Sequence, residues 1–139
     1  MQDNWRKLVQ PEDAILHLGD LAVWYGSEQR DWLEMASTLP GKKFMLRGNH
    51  DRLKDSEFAS YGFTIIPEFI QKIDGKRVLF SHYPDTTRDG WDINIHGHIH
   101  TGEYHLEELP DVTANINRKW INVSVEVMDY KPIKLGDLI

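Results

Sequence analysis

The sequence predicts an α/β domain in which mixed β-sheets are flanked by helices, and three observations predict it. Up to residue 61, short apolar runs alternate with stretches of helical spacing; beyond Gly62 the rhythm changes to strands; and several runs close on Asp, Asn or His. The 139 residues, 40% of them hydrophobic, are enough for one core, so residues 1–139 read as one domain. With 27% charged residues and no apolar run near the ~18 residues of a membrane span, disorder and a membrane partner are both poor readings. The start, Met1 to Lys7, has no apolar run behind its charges, so no secretory signal is read there and the expected compartment is the cytoplasm.

The elements follow in order. Trp5, Leu8 and Val9 recur at helical spacing and stop at Pro11, predicting a helix over 4–10. Ala14 to Leu18 reads as a buried parallel strand closed by Gly19-Asp20. Ser27 is placed to cap a helix whose face carries Trp32, Leu33, Ala36 and Leu39, and Pro40-Gly41 ends it. A second strand, Lys43 to Leu46, opens into Arg47-Gly48-Asn49-His50-Asp51, and a helix is expected over 54–61. Strands follow over 63–66, 69–73 and 77–81, with Asp74-Gly75 as a hairpin turn. Val78-Leu79-Phe80 leads to Ser81-His82, and Ile93-Asn94-Ile95 leads to His96-Gly97-His98-Ile99-His100. Residues 101–119 read as a polar loop, 120–127 as a strand, and 130–135 as its pairing partner.

The chemistry lies at the strand ends. Asp20, Asn49 with His50, His82, and His98 with His100 each follow a predicted strand, the edge at which open α/β sheets bind ligands. Five of the seven histidines fall between residues 82 and 105. No cysteine is present, which removes disulfides, thiolate zinc, iron-sulfur clusters and a Cys nucleophile together. A cation would be held by nitrogen and oxygen, a donor set that suits Mn²⁺, Fe²⁺ or Zn²⁺. The net charge of −6 argues against a broad nucleic-acid surface and is compatible with a carboxylate-lined cation site. Read as a strand, positions 98 and 100 point the same way, with Gly97 permitting a tight backbone.

Together, Gly19-Asp20, Gly48-Asn49-His50-Asp51, Ser81-His82 and Gly97-His98-Ile99-His100, in this order and at these intervals, resemble the calcineurin-like metallophosphoesterase superfamily. The closing stretches, Asn122 to Glu126 and Lys131 to Ile133, resemble the ends of its small bacterial and phage-type members. The resemblance implies a metallophosphoesterase sandwich that hydrolyses a phosphomonoester or phosphodiester at a two-metal centre. Such a centre activates water and clamps phosphoryl oxygens between metals about 3.5–4 Å apart. It implies Asp20, Asn49, His82 and His98 as ligands of one cation, with Asp20 and His100 contributing to the other. His50 would donate a proton to the leaving oxygen or stabilise the charged phosphoryl group, and Asp51 would orient His50. Mn²⁺ is the expected cofactor, with Fe²⁺, Zn²⁺, Ni²⁺ or Mg²⁺ as alternatives, and the partner is a phosphorylated substrate.

The family begins with a strand ending in Asp-x-His, and that tripeptide occurs nowhere in the sequence. The sequence reading is therefore of an N-terminally truncated domain with one complete cation site, a second incomplete site and weak turnover. Three readings of the missing strand stand side by side: a late start, a strand supplied in trans by a homo-oligomer or another chain, and a reduced natural form. A reduced cation- or phosphate-binding module is the functional alternative. Structural roles are expected for His17, His96 and His105. Trp24, Tyr25, Tyr83 and Trp91 are expected to pack beneath loops, Arg47 and Arg88 to be solvated, and Glu103, Glu107, Glu108 and Asp111 to form a solvated face.

Overall fold

Two sheets form the frame. The computed structural model of the protein describes residues 1–22, 27–102 and 118–139. Helix α1 (Gln2–Leu8) precedes β1 (Ala14–His17); α2 (Ser27–Ser37), β2 (Lys42–Met45), α3 (Asp55–Ser60) and β3 (Phe63–Ile65) complete the first half. These three strands form a parallel sheet in the order β1-β2-β3, so α2 and α3 are crossover connections. Strands β4 (Phe69–Ile73), β5 (Lys76–Ser81), β6 (Ile93–His96) and β7 (Lys119–Asn122) form the second sheet in chain order. β4 and β5 pair antiparallel through the Asp74-Gly75 turn, and β6 and β7 join in parallel. The expected architecture of mixed sheets flanked by helices is the one observed.

Both faces of the first sheet are covered, which is why its strands read as nearly continuous apolar runs. On one side Trp5 and Val9 from α1 and its end, Leu33 and Ala36 from α2, and Phe58 from α3 pack on Met45 and Phe63. Toward the other sheet, Leu18 and Leu46 pack with Val78, Phe80, Ile93 and Ile95. The helix face predicted for α2 is corrected at Trp32, which is exposed, while Gln29 takes a buried position. Helix α1 starts and stops two residues earlier than periodicity alone suggests; Leu8 is exposed and Trp5 anchors the helix, its indole Nε1 donating to Pro40 O (2.9 Å).

The terminal hairpin does not form. β7 stops at Asn122, whose Oδ1 accepts the N–H of Ser124 (2.9 Å) and draws the chain out of the extended conformation. Turns then carry it through Asp129 and Tyr130, both at positive φ (53° and 54°), to a 3₁₀ turn at Leu135–Asp137.

Among the described residues, β1 pairs only with β2. Its other edge faces a cavity of about 1030 Å³ walled by Leu8, Trp32 and Met35 from the helices and by Val123, Ile133 and Leu138 from the C-terminal segment. Asp20, His98 and His100 also line this cavity. No helix among the described residues is long and apolar enough to cross a membrane.

Candidate metal centre

Two loops, one after β1 and one after β2, lie against each other because each carries a glycine where a side chain has no room. A Cβ on Gly19 (φ +93°) would meet Gly48 N at 2.5 Å and His82 Nδ1 at 2.6 Å; a Cβ on Gly48 would meet Asp20 Oδ1 at 2.1 Å. Asp20 itself sits at φ 55°, a left-handed conformation uncommon for a residue with a side chain. Asp51 ties the two loops, its Oδ2 accepting the N–H groups of Asp20 (2.7 Å) and Gly48 (2.7 Å). Burial pushes the Asp51 carboxyl up, against the lowering effect of those backbone donors. Asp51, expected from the sequence to orient His50, also fastens the two loops through these hydrogen bonds. Asp20 Oδ1 accepts the backbone N–H of His50 (2.8 Å), and buried Gln29 donates to His50 O (3.1 Å).

Arg47 is not the solvated side chain expected from the sequence. It donates to Asp51 O (2.6 Å) and Leu53 O (2.6 Å) and pairs with Asp55, closing the loop from outside. Arg88 likewise pairs with Asp85 and with Glu68 (2.7 Å). Glu68, which sequence reasoning missed, also accepts the N–H of His82 (3.0 Å) and so fixes the backbone of that histidine.

The ligand chemistry converges on His82. This ring is almost fully buried, and its Nδ1 lies 2.7 Å from Leu18 O. A carbonyl oxygen only accepts, so Nδ1 carries the proton and Nε2 of the neutral ring presents a lone pair. That Nε2 lies 3.0 Å from Asn49 Oδ1, 3.3 Å from Asp20 Oδ2 and 3.2 Å from His98 Nδ1. Ligand atoms of Asp20, His82 and His98 all lie within 4.8 Å of one another. Burial first, and then the neighbouring His82, holds His98 below the ordinary histidine range, keeping the ring neutral and able to coordinate. A proton on one nitrogen satisfies at most two of these converging acceptors, whereas one divalent cation satisfies all four. The donor set therefore fits a cation of the N/O-preferring class.

The structure brings Asp20, Asn49, His82 and His98 together, with His50 on the same loop as Asn49. His98 and His100 are corrected in conformation: neither is on a strand, and both lie beyond β6 at positive φ (68° and 51°). Their common direction cannot be argued from strand alternation. Gly97 does not supply the tight backbone either, since a Cβ there would meet nothing closer than 3.8 Å. His100 Nδ1 instead pairs with Glu126 Oε1 (2.7 Å). Tyr83 is half exposed, its ring 4.8 Å from His82 and 4.2 Å from His98, so it borders the site and is not packed beneath a loop. Trp91 is buried, edge-on to Trp120.

His96 is a buried residue whose Nδ1 meets Gly97 O (3.0 Å). His17 has a buried Nδ1 with no partner among the described residues, and burial pushes its pKa down to about 4, with Asp20 opposing and His82 assisting. Trp24, Tyr25, Glu103, His105, Glu107, Glu108 and Asp111 lie outside the described residues.

The family model of the calcineurin-like phosphoesterases matches residues 2–133. The uncharacterized Methanocaldococcus jannaschii protein MJ1445 is 36% identical over 140 residues, spanning 98% of this chain and 69% of its own. The crystal structure of the Aquifex aeolicus protein AQ665, of unknown function, superposes with a TM-score of 0.70 at 32% identity, covering 99% of this chain and 82% of that one. The structure of an archaeal phosphodiesterase gives a TM-score of 0.49 at 17% identity over 81% of this chain and 67% of that one.

Proposed function

Because the chain belongs to the calcineurin-like phosphoesterase family, whose members are metal-dependent phosphoester hydrolases, we propose that it hydrolyses a phosphoric mono- or diester with Mn²⁺ held by Asp20, Asn49, His82 and His98. The observation that carries this reading is the convergence of Asn49 Oδ1, Asp20 Oδ2 and His98 Nδ1 on Nε2 of His82, whose Nδ1 is already engaged by Leu18 O. A divalent cation there supplies Lewis-acid polarisation of phosphoryl oxygens and acidification of water. The protein's part is positioning. Leu18 O and Glu68 fix His82 from two sides, and Asp51 locks the Asp20 and Gly48 loops in one relative position. His50, its backbone tied to Asp20, donates a proton to the leaving oxygen.

The test is hydrolysis of an aryl phosphodiester and an aryl phosphomonoester by the chelator-treated protein with Mn²⁺ restored. Turnover that needs Mn²⁺ and disappears in Asp20→Asn and His82→Ala is expected. Equal turnover in those variants overturns the assignment. A second reading, a module that binds the cation and turns over little, is favoured by one observation: the close ligand group among the described residues holds Asp20, His82 and His98 but not His100. Tight Mn²⁺ binding without hydrolysis selects that reading.

A further inference from the structure

Resting on the reading of this site as a cation centre, we propose that Glu126 and Asn122 are positioning residues that hold His100 as the ligand of a second divalent cation. His82 shows the device. Its Nδ1–H is spent on a fixed oxygen, Leu18 O, so the opposite nitrogen is left bare. The same arrangement is built at His100 from a different part of the chain: Nδ1 lies 2.7 Å from Glu126 Oε1. A carboxylate only accepts, so Nδ1 of the neutral ring holds the proton and Nε2 keeps its lone pair. A carboxylate on the far nitrogen also makes the imidazole a stronger donor to a metal.

Asn122 holds the backbone of the same residue. His100 sits at φ 51°, a left-handed conformation uncommon for a residue with a side chain. Asn122 Nδ2 donates to His100 O (2.7 Å), while its Oδ1 accepts the N–H of Ser124 (2.9 Å). One side chain thus secures the carbonyl of His100 and starts the turn that delivers Glu126. This gives the abrupt end of β7 a purpose, since a strand continued through Val127 would not return Glu126 to His100. The histidine is exposed at its other face, and it borders the same cavity as Asp20 and His98. The second Glu126 oxygen, Oε2, is buried, with no hydrogen-bond partner among the described residues, so this end of the carboxylate is shielded from solvent.

The tautomer is read directly, without metal or activity. In long-range ¹H–¹⁵N spectra of the chelated protein at pH 8, His100 is expected in the Nδ1–H form. Glu126→Gln, whose amide oxygen still accepts, preserves that form. Glu126→Ala releases the ring to the Nε2–H form. An Nε2–H signal for His100 in the unmodified protein overturns the inference alone. Calorimetry with Mn²⁺ supplies the second arm. Two cations per chain are expected, Glu126→Ala weakening only the second by about 10- to 100-fold, Glu126→Gln by much less. Adding Glu126→Ala to His100→Ala should cost nothing more. An additional loss in the double variant makes Glu126 a ligand in its own right and overturns the positioning role. One cation per chain overturns the role given to His100, whereas no cation at all overturns the metal-centre reading itself.

Discussion

At the scale of single residues, function is divided between side chains that face the candidate cation and side chains that hold them. His50, the proton donor proposed above, is on the loop of Asn49 but is not in the close ligand group of Asp20, His82 and His98. His50→Ala should therefore leave Mn²⁺ affinity unchanged in calorimetry while lowering turnover by about 10²-fold or more, the usual worth of a positioned proton donor. Loss of Mn²⁺ binding in that variant would make His50 a ligand. Gly48→Ala should act differently, because its new Cβ would fall 2.1 Å from Asp20 Oδ1 and push the ligand itself. Reduced cation affinity with the fold retained is the expected result; an unaffected Kd would show that the two loops are not interlocked. The facing residues were legible in the sequence because Asp, Asn and His at strand ends have few other uses in that density. The holding residues were not: Glu68, Gln29 and Glu126 each reach a partner at least 14 positions away in sequence, and no local spacing marks them.

At the scale of elements, periodicity located the strands of both sheets, because each carries apolar residues whose burial depends on the extended conformation. It failed after β7, where alternation of β-branched residues continues past Asn122 but a side-chain to backbone hydrogen bond ends the strand. A local polar contact outweighs a weak pattern at the end of an element. The open edge of β1 is the element whose behaviour is least fixed by its own contacts. His17 O and Asp13 O accept N–H groups from the β2 side, so in this parallel pair Ile15 turns its amide toward β2 and Leu16 turns its amide away. Native-state hydrogen exchange should find the Leu16 amide opening faster than that of Ile15. Strong protection at Leu16, with a doubled mass in sedimentation, would instead show a second copy laid against this edge.

At the scale of the whole molecule, histidines wholly or partly withdrawn from water couple the fold to acid. Burial holds His17 near pKa 4 against its usual 6.5, and lowers His96 and His98 as well. Between those two values the unfolded chain binds the proton that the folded chain refuses. The contribution of these histidines to the stability of the chelated protein therefore rises as pH goes from about 4 to about 6.5 and levels off above, with the raised Asp51 carboxyl opposing it at the acid end. For His17 alone the full span corresponds to about 3 kcal/mol, an appreciable share of a marginally stable fold. The window is distinct from that of Asp92, whose carboxyl is held down to about 2 by Arg77 and titrates at lower pH. Urea unfolding with chelator present, at several pH values from 4 to 7.5, should give a shallower rise for His17→Leu than for the unmodified protein. Equal slopes would place the acid sensitivity elsewhere. Restoring Mn²⁺ at 100 times its Kd should add about 2.7 kcal/mol at pH 7.5. That increment should shrink as the pH falls, because protons and the cation compete for the same imidazole nitrogens.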